Sequence, residues 1–298
     1  MVRAVTADGG TWTGHRVLIA GCGRIGTRLG LQLAANGARV TGLRRRDVPL
    51  PRPLQTVRAD LTRSDTLDSV RAIAIDTAFY IATPGAFQDN AYRAAYVDGL
   101  RNLLACLAPD TRVVFVSSTA VYGQTDGQWV DETSATVPNA FSGQRMLEAE
   151  ALLAAAPGIG TAVRFGGIYG AGRTRMLRKV LAGAPCVADP PQYTNRIHAE
   201  DAVAVLAHVA GLRDPASLYL GVDDAPCTQC ELMSWLATRL GRPAPERISA
   251  PAGGVPGSNK RCLNHRLRAS GYRFVFPTYR EGYGTIIEAG EAQADPPA

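Results

Sequence analysis

The chain has 298 residues, of which 46% are hydrophobic and 19% charged, and a formal net charge of +6. This is long enough for a full doubly wound domain with a smaller lobe, and too apolar for a disordered or fibrous chain. No stretch approaches the roughly eighteen uninterrupted apolar residues of a membrane span. Even residues 147–163 are broken by Glu148, Glu150, Pro157 and Gly158.

Residues 1–15 are rich in glycine and threonine and lack the apolar core of a secretory signal, so a cytoplasmic protein is expected. Segments 1–14 and 289–298 read as flexible tails. The positive charge comes from thirty arginines and only two lysines, Lys179 and Lys260. No basic helix, zinc-finger spacing or aromatic-rich RNA-binding strand accompanies it, so no nucleic-acid partner and no membrane partner is expected. The six cysteines are scattered, which suits reduced thiols. Cys227 and Cys230 form a CxxC and Cys262 and His265 a CxxH, a set of tetrahedral zinc-ligand types. The two former cysteines more simply open a helix over 231–240, since a lone CxxC needs its structural context, and no metal is expected.

In chain order, short β-branched runs alternate with helical periodicity, the mark of a parallel sheet. Strands are expected at 16–20, 39–43, 55–58, 77–82, 112–117 and 161–165. Helices are expected after the first strand up to Gly37, then at 62–72, 88–106 and 143–156. Beyond Gly170 the pattern loosens into helices at 174–182, 199–211 and 231–240 between Pro- and Gly-rich loops. The fold class is therefore α/β: a Rossmann doubly wound parallel sheet over 15–170 with a small substrate lobe over 171–288.

The first strand runs directly into Gly21-Cys22-Gly23-Arg24-Ile25-Gly26, and an amphipathic helix follows. In that context the glycine pattern signals a dinucleotide site. Gly21 permits the turn, Gly23 admits the pyrophosphate, and Gly26 allows helix and strand to pack closely. The helix N-terminus supplies partial positive charge. At the end of the second strand, where NAD enzymes carry an acid for the ribose 2′-hydroxyl, the sequence reads Arg44-Arg45-Arg46. Arginine there suits a 2′-phosphate, so NADP(H) is the preferred cofactor and NAD(H) the second. Asp60, after the third strand, is the expected acceptor at the adenine edge.

These residues resemble the extended short-chain dehydrogenase/reductase superfamily, which includes nucleotide-sugar epimerases and dehydratases. The resemblance rests on Ala59-Asp60-Leu61, residues 97–104, Val116-Ser117-Ser118-Thr119-Ala120-Val121-Tyr122-Gly123, residues 164–170 and Arg196-Ile197-His198-Ala199-Glu200-Asp201. The residues it implies at the cofactor are Gly21, Gly23, Arg24, Ile25, Gly26, Arg44, Arg45, Asp60, Leu61, Ala82, Ser117, Phe165 and Gly166. The superfamily's acid–base pair is a tyrosine followed four residues later by a lysine that lowers its pKa. In the matching segment Ser142 takes the tyrosine position and Met146 the lysine position, and no Tyr-x-x-x-Lys occurs anywhere in the chain. Ser118 matches the carbonyl-orienting serine, and Tyr122, Ser142, Tyr169 and His198 are the candidate replacement acids. Ser118, Tyr122 and His198 make up the expected catalytic set.

Two classes of function follow from the resemblance. One is an NADP(H)-dependent oxidoreductase acting on a carbonyl, imine or hydroxyl of a small molecule through a non-standard proton donor. The other is a non-catalytic NADP(H)-binding sensor. A nucleotide-sugar epimerase or dehydratase is a further alternative, set back because Thr194 stands where an arginine for the substrate's phosphates is often found. A homodimer is compatible with any of them.

Overall fold

The computed structural model describes residues 12–251 and 257–290. The tails expected at 1–14 and 289–298 lie almost wholly outside these residues. Where the first becomes describable, Trp12 is buried and packs edge-on to His15.

The strands in chain order are β1 (Arg16–Ala20), β2 (Arg39–Arg44), β3 (Gln55–Arg58), β4 (Thr77–Tyr80), β5 (Arg112–Ser118), β6 (Gln128–Val130), β7 (Gly160–Phe165) and β8 (Gly167–Tyr169). They continue with β9 (Cys186–Asp189), β10 (Tyr193–Thr194), β11 (Arg196–His198), β12 (Leu218–Gly221), β13 (Cys227–Thr228), β14 (Arg247–Ser249) and β15 (Lys260–Cys262). Seven of them form one sheet in the order β12-β7-β5-β4-β1-β2-β3. The pairings of β1 with β2 and β4, of β2 with β3, and of β4 with β5 are parallel. The central strands are buried almost throughout, as continuous apolar runs in a doubly covered parallel sheet must be. The six expected strands all stand in this sheet within two residues of their expected ends. The seventh, β12, joins the edge through Ala162 N–H to Ser217 carbonyl at 2.8 Å and Gly166 N–H to Gly221 carbonyl at 3.2 Å.

The chain forms two compact units. The first takes residues up to Val121, then Ala140–Arg164 and Val203–Tyr219; the second takes Tyr122–Asn139, Phe165–Ala202 and residues from Leu220 onward. Residue 170, the boundary expected from sequence, falls inside the second unit.

In the first unit the expected helix 62–72 is instead a 3-10 turn, Ser64–Thr66, followed by one helical turn, Asp68–Arg71. The expected helix 88–106 runs from Asp89 to Leu104 and contains a π segment over Arg93–Asp98. Such a segment offsets carbonyls from their usual partners. The buried Tyr80 hydroxyl donates to the Ala95 carbonyl within it.

The second unit carries short strand pairs: β8 with β11, β6 with β15 and β9 with β14 in parallel, and β10 with β13 antiparallel. Asp201, fully buried, accepts from the Tyr272 hydroxyl at 2.7 Å and from the Val275 and Phe276 N–H groups at 2.8 and 2.9 Å. This explains the acid at the end of the Arg196–Asp201 motif: it pins residues 272–276 onto the start of the helix Ala199–Gly211. Cys186 on β9 and Cys230 on the helix Gln229–Arg239 form a disulfide, which corrects the expectation of six reduced thiols. The two lie 44 residues apart, and only the packing of β9 against that helix brings them together. The pairing also removes Cys230 from the CxxC, and no group of three or more metal-ligating side chains occurs among the described residues.

Candidate dinucleotide site and reaction centre

In the first unit Gly21 turns the chain with a φ of +87°, a left-handed conformation that side chains resist. A Cβ there would stand 2.6 Å from the Ala82 backbone. Gly21 therefore serves both the turn and the close approach of the end of β4, and the expected contact residue Ala82 lies beside the loop. Gly26 packs on Ile19, where a Cβ would come within 2.9 Å. At Gly23 a Cβ would meet nothing within 4 Å. Open space therefore sits over the N-terminus of α1 (Arg24–Ala35), where the N–H groups of the first turn have no helical acceptor. The N-terminus of a long helix and an exposed glycine at its cap form a cradle for a pyrophosphate, so the loop fits a dinucleotide.

The arginines at the end of β2 and beyond it divide their work. Arg44 donates to the Cys22 carbonyl at 3.1 Å and the Val48 carbonyl at 2.9 Å, so it straps the glycine loop to the segment after β2. Arg45 and Arg46 are exposed. Asp60 accepts at one carboxylate oxygen from both the Thr62 N–H (3.0 Å) and hydroxyl (2.8 Å), an Asx turn that holds its side chain beside the sheet end. Leu61 is buried and its carbonyl receives the Asn102 amide at 2.9 Å.

Ser117, expected at the cofactor, is buried, and its hydroxyl donates to Glu150 at 2.6 Å. Glu150, on the helix Phe141–Ala155, also receives Arg164 through two bonds of 2.9 and 2.6 Å. This triad links β5, β7 and the helix. Its paired charges keep the strand end rigid, and sequence reading missed it because Glu150 and Arg164 carry no shared spacing.

Ser118, the next residue, is half-buried, and its Oγ accepts from the Ala120 N–H at 3.1 Å. The helix Phe141–Ala155 packs against β5 and the turn Thr119–Val121, and carries half-buried Ser142 in its first turn and buried Met146 one turn on. Arg145 grips Asp89 through two bonds of 2.7 and 2.8 Å and Glu148 through a third of 2.8 Å, so its charge is committed within the protein. Phe87, 72% exposed, leans on Phe141 and Tyr92 with centroids 5.0 and 5.5 Å apart. Sequence reading did not single out this aromatic surface, since Phe141 lies some fifty residues from Phe87 and Tyr92.

The other two expected catalytic residues belong to the second unit. Tyr122 is fully buried and its hydroxyl donates to the Asp131 carbonyl at 2.6 Å, an anchor for the following loop. His198 is buried; its Nδ1 accepts from the Glu200 N–H at 3.3 Å and its ring packs 4.0 Å from Phe276 and 5.3 Å from Tyr169. Tyr169 is stacked on Tyr283 at 4.3 Å, and burial pushes its phenol further above the ordinary tyrosine range, away from acid–base work at neutral pH. Phe165 is buried, and Gly166 must be glycine because a Cβ would lie 2.8 Å from the Asn195 carbonyl.

The family model of the NAD dependent epimerase/dehydratase family matches residues 17–215. The chain belongs to that family. A solved Methylobacillus flagellatus protein provisionally named as an NAD-dependent epimerase/dehydratase is 42% identical, with 93% of this chain and 98% of that chain covered and a TM-score of 0.77. MoeE5, solved with UDP-glucuronic acid and NAD, is 28% identical over 94% of this chain and all of its own, with a TM-score of 0.74. Protein YeeZ of Escherichia coli K12 is 29% identical over 204 residues, 64% of this chain and 71% of its own. The extended short-chain dehydrogenase/reductase resemblance thus holds for both sequence and fold.

Proposed function

We propose that this member of the family is an NADP(H)-dependent oxidoreductase that acts on a carbonyl, imine or hydroxyl of a small molecule without the family's tyrosine–lysine pair. The carrying observation is the reaction-centre helix, with a small serine at 142 and a buried apolar Met146 where those two groups would stand. When bound, the dinucleotide supplies hydride exchange at its nicotinamide. The chain's own part is orientation. Gly21, Gly23 and Gly26 seat the pyrophosphate, the Ser117–Glu150–Arg164 triad fixes the end of β5, and Ser118 presents its hydroxyl to the substrate oxygen. A serine hydroxyl does not ionise near neutrality, so the proton comes from solvent relayed through Ser118 and Ser142, which lowers the barrier less than a tuned acid does. The aromatic surface of Phe87, Tyr92 and Phe141 favours an apolar substrate.

NADP(H) preference rests on Arg45 and Arg46, exposed beyond β2 where an acid would repel a 2′-phosphate. Cytoplasmic location follows the sequence reading; no helix among the described residues is long and apolar enough to cross a membrane. The likeness to MoeE5 favours a second reading, epimerase or dehydratase action on a nucleotide sugar. NADPH oxidation with a panel of small ketones, aldehydes and imines, beside NAD-supported conversion of UDP-sugars, separates them. Turnover of the first panel, abolished by Ser118→Ala, is expected. Conversion of the UDP-sugars alone overturns the reductase reading, and turnover of neither with intact NADPH binding leaves the sensor.

A further inference from the structure

In the second unit the two basic residues of β15, Lys260 and Arg261, part ways. Lys260 is buried and its Nζ donates to the Ser258 hydroxyl. Arg261 is half-buried, and its guanidinium carbon lies over two aromatic rings. It stands 4.5 Å from the centroid of Trp129 on β6 and 4.7 Å from that of Tyr193 on β10. Its Nε donates to the Gly127 carbonyl at 2.7 Å. The frame around these rings is fixed. Gly127 has a φ of +77°, and a Cβ there would come 2.8 Å from the Tyr193 ring, so glycine admits that ring beside the arginine. Buried Asn259 accepts the Tyr193 N–H on its side chain at 2.8 Å and the Gly127 N–H on its main-chain carbonyl at 2.9 Å.

Arg266 and Arg268, further along the chain, pair with Glu132 and Asp224. Arg261 has no ion pair among the described residues, and its two terminal nitrogens donate to none of them. Neither nitrogen is among the buried polar atoms left without a partner, so both open to solvent. Aromatic rings beside a guanidinium exclude water from it and hold it in one orientation, which lowers the cost of desolvating and ordering its edge. That edge is a planar fork of N–H groups, which a carboxylate meets with two parallel bonds. Lys260, turned to Ser258, adds no second charge, so the fork suits a monoanion better than a phosphate dianion. Trp129 is 50% exposed and gives the site an apolar flank. The complement is a carboxylate on an apolar body.

We propose that Arg261 binds the carboxylate of a small apolar acid, with Trp129 and Tyr193 holding the guanidinium in place. The site is independent of the reductase reading, since Gly127, Trp129, Tyr193 and Arg261 all lie in the second unit and none takes part in holding the dinucleotide. An amide of the same shape offers no charge, and inorganic phosphate offers charge without the apolar body.

The test is calorimetric titration of the full chain with sodium benzoate, benzamide and sodium phosphate at matched ionic strength. Benzoate should saturate one site, and benzamide and phosphate should each bind roughly tenfold more weakly or worse. Arg261→Lys keeps the charge and loses the fork, and should weaken benzoate by about fivefold or more with an unchanged circular dichroism spectrum. Trp129→Leu removes a half-exposed ring and leaves the Arg261 bond to Gly127 alone. It should also weaken benzoate by about fivefold, and it carries the test if Arg261→Lys does not fold. The proposal is overturned if benzoate does not saturate the unmodified protein, if benzamide or phosphate binds as well, or if either folded variant binds benzoate as the unmodified protein does.

Discussion

Arg164 donates to both carboxylate oxygens of Glu150, and both side chains are largely buried, at 6% and 13% exposure. Ser117 adds a third donor to the same carboxylate. Removing one partner of such a pair strands the other charge out of water. Glu150→Gln is expected to destabilise the protein by about 3 kcal/mol in urea unfolding, and Ser117→Ala by about 1 kcal/mol. Equal, small effects would mean that the carboxylate is solvated in solution.

Arg44, the last residue of β2, and Arg45, the first beyond it, should separate in cofactor binding. Arg45→Ala is expected to weaken NADP(H) by about 2 kcal/mol and leave NAD(H) unchanged, because only the former carries the 2′-phosphate. Arg44→Ala should weaken both by a similar factor, since Arg44 holds the Cys22 carbonyl of the glycine loop. Calorimetric titration of both cofactors into each variant checks this. Equal affinity of the unmodified protein for the two cofactors would remove the preference.

Thiol counting tests the covalent arrangement. Under denaturing, non-reducing conditions four thiols should react, Cys22, Cys106, Cys227 and Cys262, and six after reduction. Elemental analysis should find far less than one zinc per chain, since the disulfide takes Cys230 from any tetrahedral set. Six reactive thiols before reduction, or stoichiometric zinc, would contradict both expectations.

Stability should carry a signature of Asp223 between mildly acidic and neutral pH. Burial pushes this carboxyl up to about 7, with Arg196 and the Ala225 N–H pulling it down and Asp224 and Asp201 pushing it further up. A free aspartate titrates near 3.9. The folded state therefore holds its proton more tightly, and the stability contributed by Asp223 is complete below about pH 4 and lost as the pH rises through 7. Asp223→Asn should flatten that decline in urea midpoints measured from pH 4 to 8. Parallel profiles for the two proteins would show that the carboxyl titrates normally.

The sheet was legible because its strands are continuous apolar runs with short turns, and the glycine loop because its motif sits between a strand and a helix. β12 was not legible: Leu218-Tyr219-Leu220-Gly221 is too short to show a period, and its partner β7 lies more than fifty residues earlier. The turn at 64–71 kept helical-looking composition without the length to hold a helix. Ser117, expected at the cofactor, and Tyr122 and His198, expected in the catalytic set, have hydrogen bonds with Glu150, Asp131 and Glu200 that no motif predicts. A motif records which residue stands at a place, while hydrogen-bond partners arrive from distant segments.

The first unit takes its last segment from Val203–Tyr219. During synthesis, then, the dinucleotide-binding half cannot complete its sheet edge until nearly three quarters of the chain has left the ribosome. The whole second-unit stretch Phe165–Ala202 must emerge while β7 waits with an unpaired edge, a hazard for pairing with another chain. A fragment ending at residue 170 would keep the glycine loop and lack β12. It should associate through that edge, whereas a fragment carried on to residue 221 should not.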